Sequence, residues 1–211
     1  MIWLVTTIVA KVASSSLLDL FNLKQSCKSL FEVGQDDYVF KTVSMEKVPD
    51  VAWTSLSKGA TFFVRRCQES ENPEALFRLG MTEYFGHGQV KEGHTLLARA
   101  AYLGYPAASY VLGIVLICTA TDNQTILQGV ELLKNALRLK KLSRERTESI
   151  IRQMWLKNYI DIPQRSLCSN PNCSKVNNND LMDDEEEVGN CDACKYDEEI
   201  QLFCNKMLRG L

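Results

Sequence analysis

A set of residues recurs along this chain at a spacing of about 33 to 36 positions, the period of solenoids built from helix pairs. Phe77-Arg78-Leu79-Gly80 returns as Tyr110-Val111-Leu112-Gly113, and Gly93, Leu97 and Ala100 return as Gly129, Leu133 and Ala136. The residue types give the period a physical sense. Small Ala and Gly let two helices of one pair approach closely, while Leu and the aromatics fill the seam between pairs. Each pair keeps an apolar face that only its neighbour can bury, so the pattern predicts an all-α fold with an α-solenoid of stacked helix pairs.

Local signals divide this region into helices. Asn72-Pro73-Glu74 supplies an N-cap, then Pro at the first helical position, then an acid at the positive dipole end. A helix is expected to Phe85, with Gly86-His87-Gly88 as the turn. Residues 90–103 read as a second helix ended by Gly104, and residues 106–119 as a third opened by Pro106. After a turn at Asp122-Asn123, residues 125–140 form a fourth. A fifth, 143–159, carries Ile150, Ile151, Met154, Trp155 and Tyr159 on one apolar side. The set Ala75, Phe77, Leu79, Gly80, Tyr84, Gly86, Gly88, Ala100, Ala101, Gly104 and Ala108 resembles the Sel-like repeat, a relative of the tetratricopeptide repeat. The second copy lacks the Gly-x-Gly turn.

At 211 residues the chain holds one ordinary domain, or two small modules and a tail. Its formal net charge of −2 lacks the dense field of Lys and Arg that a general nucleic-acid binder needs. The apolar run of residues 1–10 is too short to span a bilayer and has no basic segment of the kind that opens a signal peptide. Val5, Ile8, Val9 and Val12 fall instead on the stripe of an amphipathic helix. Residues 1–48 read as three short helices: one ending at Ser14-Ser15-Ser16, a second capped by Ser16 with Asp19 and running through Leu20, Leu23, Cys27 and Leu30 or Phe31 to a left-handed stop at Gly34, and a third opened by Asp36 and Asp37. Pro49 closes the segment. Residues 49–71, with Trp53, Phe62 and Phe63, read as a helix or an ordered connector.

The segments Ile8-Val9-Ala10-Lys11-Val12, Ser14-Ser15-Ser16-Leu17-Leu18-Asp19-Leu20, Ser26-Cys27-Lys28-Ser29-Leu30 and Asp37-Tyr38-Val39-Phe40-Lys41 resemble an F-box over residues 4–44. The closest likeness is to plant F-box proteins that carry helical repeats and a short cysteine tail. One departure stands out: the family opens with Leu-Pro before its first helix, and this chain has Ile2-Trp3-Leu4 there. The resemblance implies a substrate-recruiting subunit that docks a Skp-type adaptor, and through it a cullin, while the remainder holds a client. Ile8, Val12, Leu17, Leu20, Leu23, Cys27 and Phe40 are the candidate docking residues. The alternative is a helical-repeat scaffold with a degenerate F-box and no ligase assembly.

Cysteine placement separates two roles. Cys27, Cys67 and Cys118 stand alone in apolar or helical contexts, where buried free thiols are expected. Cys168, Cys173, Cys191, Cys194 and Cys204 crowd the C-terminal part, which suits a metal site in a reducing compartment, cytoplasm or nucleus, better than a disulfide scaffold. Cys168-x4-Cys173 and Cys191-x2-Cys194 offer four thiolates for a structural zinc, with Cys204 as an alternative ligand; free thiols are the competing reading. The Asn-, Asp- and Glu-rich stretch 176–189 reads as a mobile loop, and Glu199-Ile200-Gln201-Leu202-Phe203 as a short strand.

Catalysis has little to build on. His87 and His94 are the two histidines, and no nucleophile elbow, phosphate loop or paired-His metal motif appears. The expected organisation is an F-box over 1–48, a connector over 49–71, repeats over 72–140, a terminal helix over 141–162 and an acidic cysteine-rich tail over 163–211.

Overall fold

Ser16 holds an extended backbone between two helices, and its side chain accepts the Asp19 N–H, the cap that the serine run predicts. The flanking helices are α1 (Ile2–Ser15) and α2 (Leu17–Ser26), in a computed structural model that describes residues 2–48, 57–154, 162–169, 173 and 191–208. Pro49, Trp53, Trp155, Tyr159 and the stretch 176–189 lie outside the described residues.

The N-terminal reading of three helices needs correction to four. The second does not run through to Gly34. Cys27 is extended and breaks it into α2 and α3 (Lys28–Val33), and α4 follows as Asp37–Thr42, capped by Asp36. Gly34 is right-handed at φ −67° rather than left-handed. It is needed for space instead: a Cβ there would meet the Lys24 stem at 2.7 Å. Residues 58–69, inside the stretch read as helix or connector, form α5 (Lys58–Glu69), capped by Ser57.

The repeat helices follow the local signals. They are α6 (Pro73–Met81), which continues as a π-helical turn over Thr82–Gly86, α7 (Val90–Tyr102), α8 (Pro106–Thr119), α9 (Asn123–Leu137) and α10 (Lys140–Gln153). Gly104 reverses the chain between α7 and α8 at φ +86°, a conformation that would strain any residue with a Cβ. Two ends differ from expectation. Asp122 caps α9 through the Thr125 N–H, so that helix starts two residues early, and α10 starts at Lys140.

The glycines in the repeat mark closest approach. A Cβ on Gly113 would lie 2.8 Å from the Gly129 carbonyl, and one on Gly129 would lie 2.8 Å from the Gly113 carbonyl. In the preceding pair, Gly80 faces Leu97 and Gly93 faces Tyr84. Sequence positions that recur therefore meet recurring partners, and backbone contact of this kind excludes any larger residue.

Residues 199–203 are helical, not a strand. They belong to α11 (Asp192–Gln201) and a π-helical extension over Leu202–Leu208. Ile200, Phe203 and Cys204 share one helical face and are buried in the repeat core. Among the described residues there is no strand.

Two buried clusters form. One gathers Val9, Ala13, Leu20, Val39, Phe40 and Cys67 from α1, α2, α4 and α5, with Met45 from the stretch after α4; the other runs along the repeat from Leu76 to Met154 and takes in Phe203. Asn72 joins them. Its Nδ2 donates to the carbonyls of Phe40 (3.0 Å) and Val43 (2.9 Å), and its Oδ1 accepts the N–H groups of Glu74 and Ala75. Arg78 adds a second join, donating to the carbonyls of Met45 and Val48 and to Glu74, whose carboxylate also receives Arg146 of α10.

Candidate functional site

Two features stand apart from the scaffold: an apolar N-terminal face and a cluster of thiols. On α1, Val9, Ala10 and Ala13 point into the N-terminal core. Trp3 (78% exposed), Leu4 and Ile8 (56%) of the same helix stand in solvent. On α2, Leu18 and Phe21 are exposed as well. Folding consumes part of the apolar surface of each helix and leaves several large apolar side chains over, more than an isolated surface leucine.

The predicted docking residues divide. Ile8 and Cys27 are exposed, and Val12, Leu17 and Leu23 are half-buried. Leu20 (1% exposed) and Phe40 (2%) are core side chains and are withdrawn as contact residues, because reaching a partner would require opening the N-terminal core. Cys27 is also not the buried thiol expected, since the break between α2 and α3 turns it outward. Trp3, Leu4, Leu18 and Phe21 were missed. Their signal was apolar residues outside the chosen stripe, which Ile8 does not in fact share with Val9.

Beside this face, Leu17, Phe21, Lys24, Phe40, Phe62 and Phe63 line a groove of about 490 Å³. The Phe63 ring centroid lies 6.1 Å from that of Phe21 and 5.9 Å from that of Phe40. Lys24 lies over the rings of Phe31 and Phe40, and burial pushes its ammonium pKa down.

The second feature brings both cysteine pairs together. The sulfurs of Cys168, Cys173, Cys191 and Cys194 all lie within 4.8 Å of one another. Cys168 and Cys191 are 3.7 Å apart, and Cys191 and Cys194 3.6 Å. Four thiolates at zinc–sulfur distances near 2.3 Å on a tetrahedron sit about 3.8 Å apart, so the set fits a closed zinc site.

Helix α11 organises the cluster. Cys191 stands at its N-cap and Cys194 one turn in. Asp197, a further turn along, accepts the Leu167 N–H at 2.7 Å, the Cys168 N–H at 3.1 Å and the Ser166 hydroxyl at 2.7 Å. That carboxylate fastens the segment bearing Cys168 against the helix bearing Cys191 and Cys194. Hydrogen bonds from the Cys194 backbone N–H and the neighbouring thiols bring the Cys191 thiol down to about 7, while Cys173 and Cys194, hydrogen-bonded to other thiols of the cluster, are pushed up.

Cys204, the alternative ligand, is not in this group. It is buried in the repeat core and hydrogen-bonded to Cys118, near the end of α8. Cys67 is buried in the N-terminal core, where desolvation raises its thiol to about 12. His87 is exposed beside Glu83. Among the described residues no helix is long and apolar enough to cross a membrane.

The tail that carries the thiols is fastened to the repeat. The carboxylate of Glu199 accepts Nε and Nη2 of Arg144 at 2.8 and 2.5 Å and the Tyr110 hydroxyl at 3.2 Å. Burial, then the Glu199 charge, pushes the Tyr110 phenol well above its usual range. Arg165 donates to the Ala120 carbonyl at 2.9 Å.

Residues 46–155, just over half the chain, match the family model described as plant tetratrico peptide repeats. Three Arabidopsis thaliana proteins, each with "F-box protein" in its name, are similar. One is 33% identical over 135 residues, covering 64% of this chain and 44% of that protein. A second is 28% identical over 116 residues, covering 53% and 30%. A third is 27% identical over 143 residues, covering 66% and 85%. The chain thus spans less than half the length of the first two relatives. No solved structure matches.

Proposed function

The chain belongs to the plant tetratricopeptide-repeat family, and from that premise we propose that it is a substrate-recruiting subunit of a Skp–cullin–F-box type ubiquitin ligase inside the cell, binding proteins rather than catalysing a reaction. The N-terminal helices dock the Skp-type adaptor, and the repeat holds a client. The names of the Arabidopsis relatives support this reading, as do the F-box-like segments over residues 4–44. The observation that carries it is the arrangement of α1. The N-terminal helices bury a core of their own, yet Trp3, Leu4 and Ile8 remain in solvent. Large side chains of this kind anchor protein interfaces.

The four thiols hold a structural zinc in this reading. Zinc, when bound, supplies a crosslink that closes the tail, and four protein ligands leave it no open position for water.

Binding of the whole chain to a purified Skp-type adaptor tests the first part. Wild type binds at micromolar concentration, and Trp3→Asp with Ile8→Asp weakens binding by about tenfold or more. A folded wild-type chain that fails to bind removes the ligase reading and favours the scaffold alternative. Metal analysis tests the second part. Wild type carries about one zinc per chain, and Cys191→Ser with Cys194→Ser loses it; an unchanged metal content rejects the site.

A further inference from the structure

The chain's own C-terminal helix covers a face to which each helix pair of the repeat contributes. Glu199, 1% exposed, meets Arg144 of α10 and Tyr110 of α8. Ile200 and Phe203 follow one and four positions later, and both are buried. The Phe203 ring lies 6.0 Å from that of Phe85, which extends α6, and 6.3 Å from that of Tyr110. The opposite side of the same helix, with Lys195, Glu198 and Gln201, is exposed. The seat therefore has one forked cation and an aromatic pocket, contributed by the first helices of successive pairs.

This seat has the form of a recognition site. A bidentate Arg–carboxylate contact selects planar acids and fixes orientation, and here the carboxylate is buried while the Arg144 side chain is 32% exposed. The apolar residues at +1 and +4 then fix the register of a helix lying in a groove.

We infer that this face is a receptor for helices with the pattern acid, apolar, two variable residues, aromatic, and that residues 199–203 are its occupant within the chain. A client presents the same pattern from outside and displaces the tail. The inference rests on the reading that the repeat holds a client, and names the chemistry by which it does so. It is independent of the adaptor face on α1. While the tail is seated, only the fraction of molecules with an open groove binds, so the apparent affinity for an outside helix is lowered by that fraction.

The test uses the whole chain and a fluorescent peptide of residues 192–208 carrying Cys194→Ser and Cys204→Ser, followed by anisotropy. Wild type binds it weakly. Phe203→Ala in the protein loosens the resident tail and tightens peptide binding by on the order of 10- to 100-fold. Adding Arg144→Ala to that protein, or Glu199→Ala to the peptide, abolishes the gain. Glu199→Gln in the protein is the second release variant, should circular dichroism show Phe203→Ala to be unfolded. The inference is overturned if a folded release variant binds no tighter than wild type, or if binding ignores Glu199→Ala in the peptide. It is also overturned if sedimentation finds a wild-type dimer that Arg144→Ala dissociates, because the outside helix is then the tail of a second copy.

Discussion

Asn72 reaches back across 32 positions to donate its side-chain N–H to the carbonyl of Phe40 at 3.0 Å, while its oxygen caps α6. One buried residue thus starts the repeat and ties it to the N-terminal helices. Asn72→Ala removes the cap and leaves the Phe40 and Val43 carbonyls short of a donor. The expected loss is about 3 kcal/mol, read from urea unfolding. Asn72→Asp keeps an acceptor for the cap but sets a carboxylate against two carbonyls, so it destabilises as well. A loss confined to the roughly 1 kcal/mol of a cap would mean that the tie contributes nothing.

Gly129→Ala and Gly59→Ala have opposite outcomes. Both are helical glycines, so in isolation Ala gains about 1 kcal/mol of propensity at Gly129 and less at Gly59, in the first turn of α5. At Gly59 a Cβ meets nothing within 4 Å, and the substitution stabilises. At Gly129 it meets the Gly113 carbonyl at 2.8 Å and the Ile117 backbone N at 3.0 Å, and backbone cannot rotate away. Overpacking of this kind costs about 1 to 3 kcal/mol beyond the gain, so the melting temperature falls.

Leu20 and Ile8 separate core from face. Leu20→Ala opens a cavity in the N-terminal core and costs about 2 to 5 kcal/mol. Ile8→Asp, with its side chain in solvent, changes stability by no more than about 0.5 kcal/mol. Thermal unfolding of the two variants decides between them, and equal losses would place Ile8 in the core.

Asp197→Asn tests the support behind the thiols. Asn keeps the size but offers one oxygen where the carboxylate serves two N–H groups and a hydroxyl. With the thiols holding zinc as proposed, the affinity measured by chelator competition falls by about tenfold, the scale of lost outer contacts at metal sites, while the saturated chain still holds about one ion.

The helix starts at Asn72-Pro73 and Pro106 and the reversal at Gly104 were legible because they rest on a few adjacent residues whose backbone preferences act locally. So was the repeat, because Gly113 and Gly129 state a close approach through size alone. The candidate site was half legible: the two cysteine pairs announced a cluster. Which thiols meet depends on how α11 docks, and that docking placed Cys204 against Cys118 instead. The five residues 199–203 are too few to distinguish a period of 2 from one of 3.6, and the repeat surface settled them as helix by burying Ile200 and Phe203 together. On α1, apolar residues fall on more than one side, and periodicity names a stripe without saying which side meets the core. Only packing against α2 and α4 put Val9 inside and Ile8 out, because burial is a property of neighbours distant in sequence.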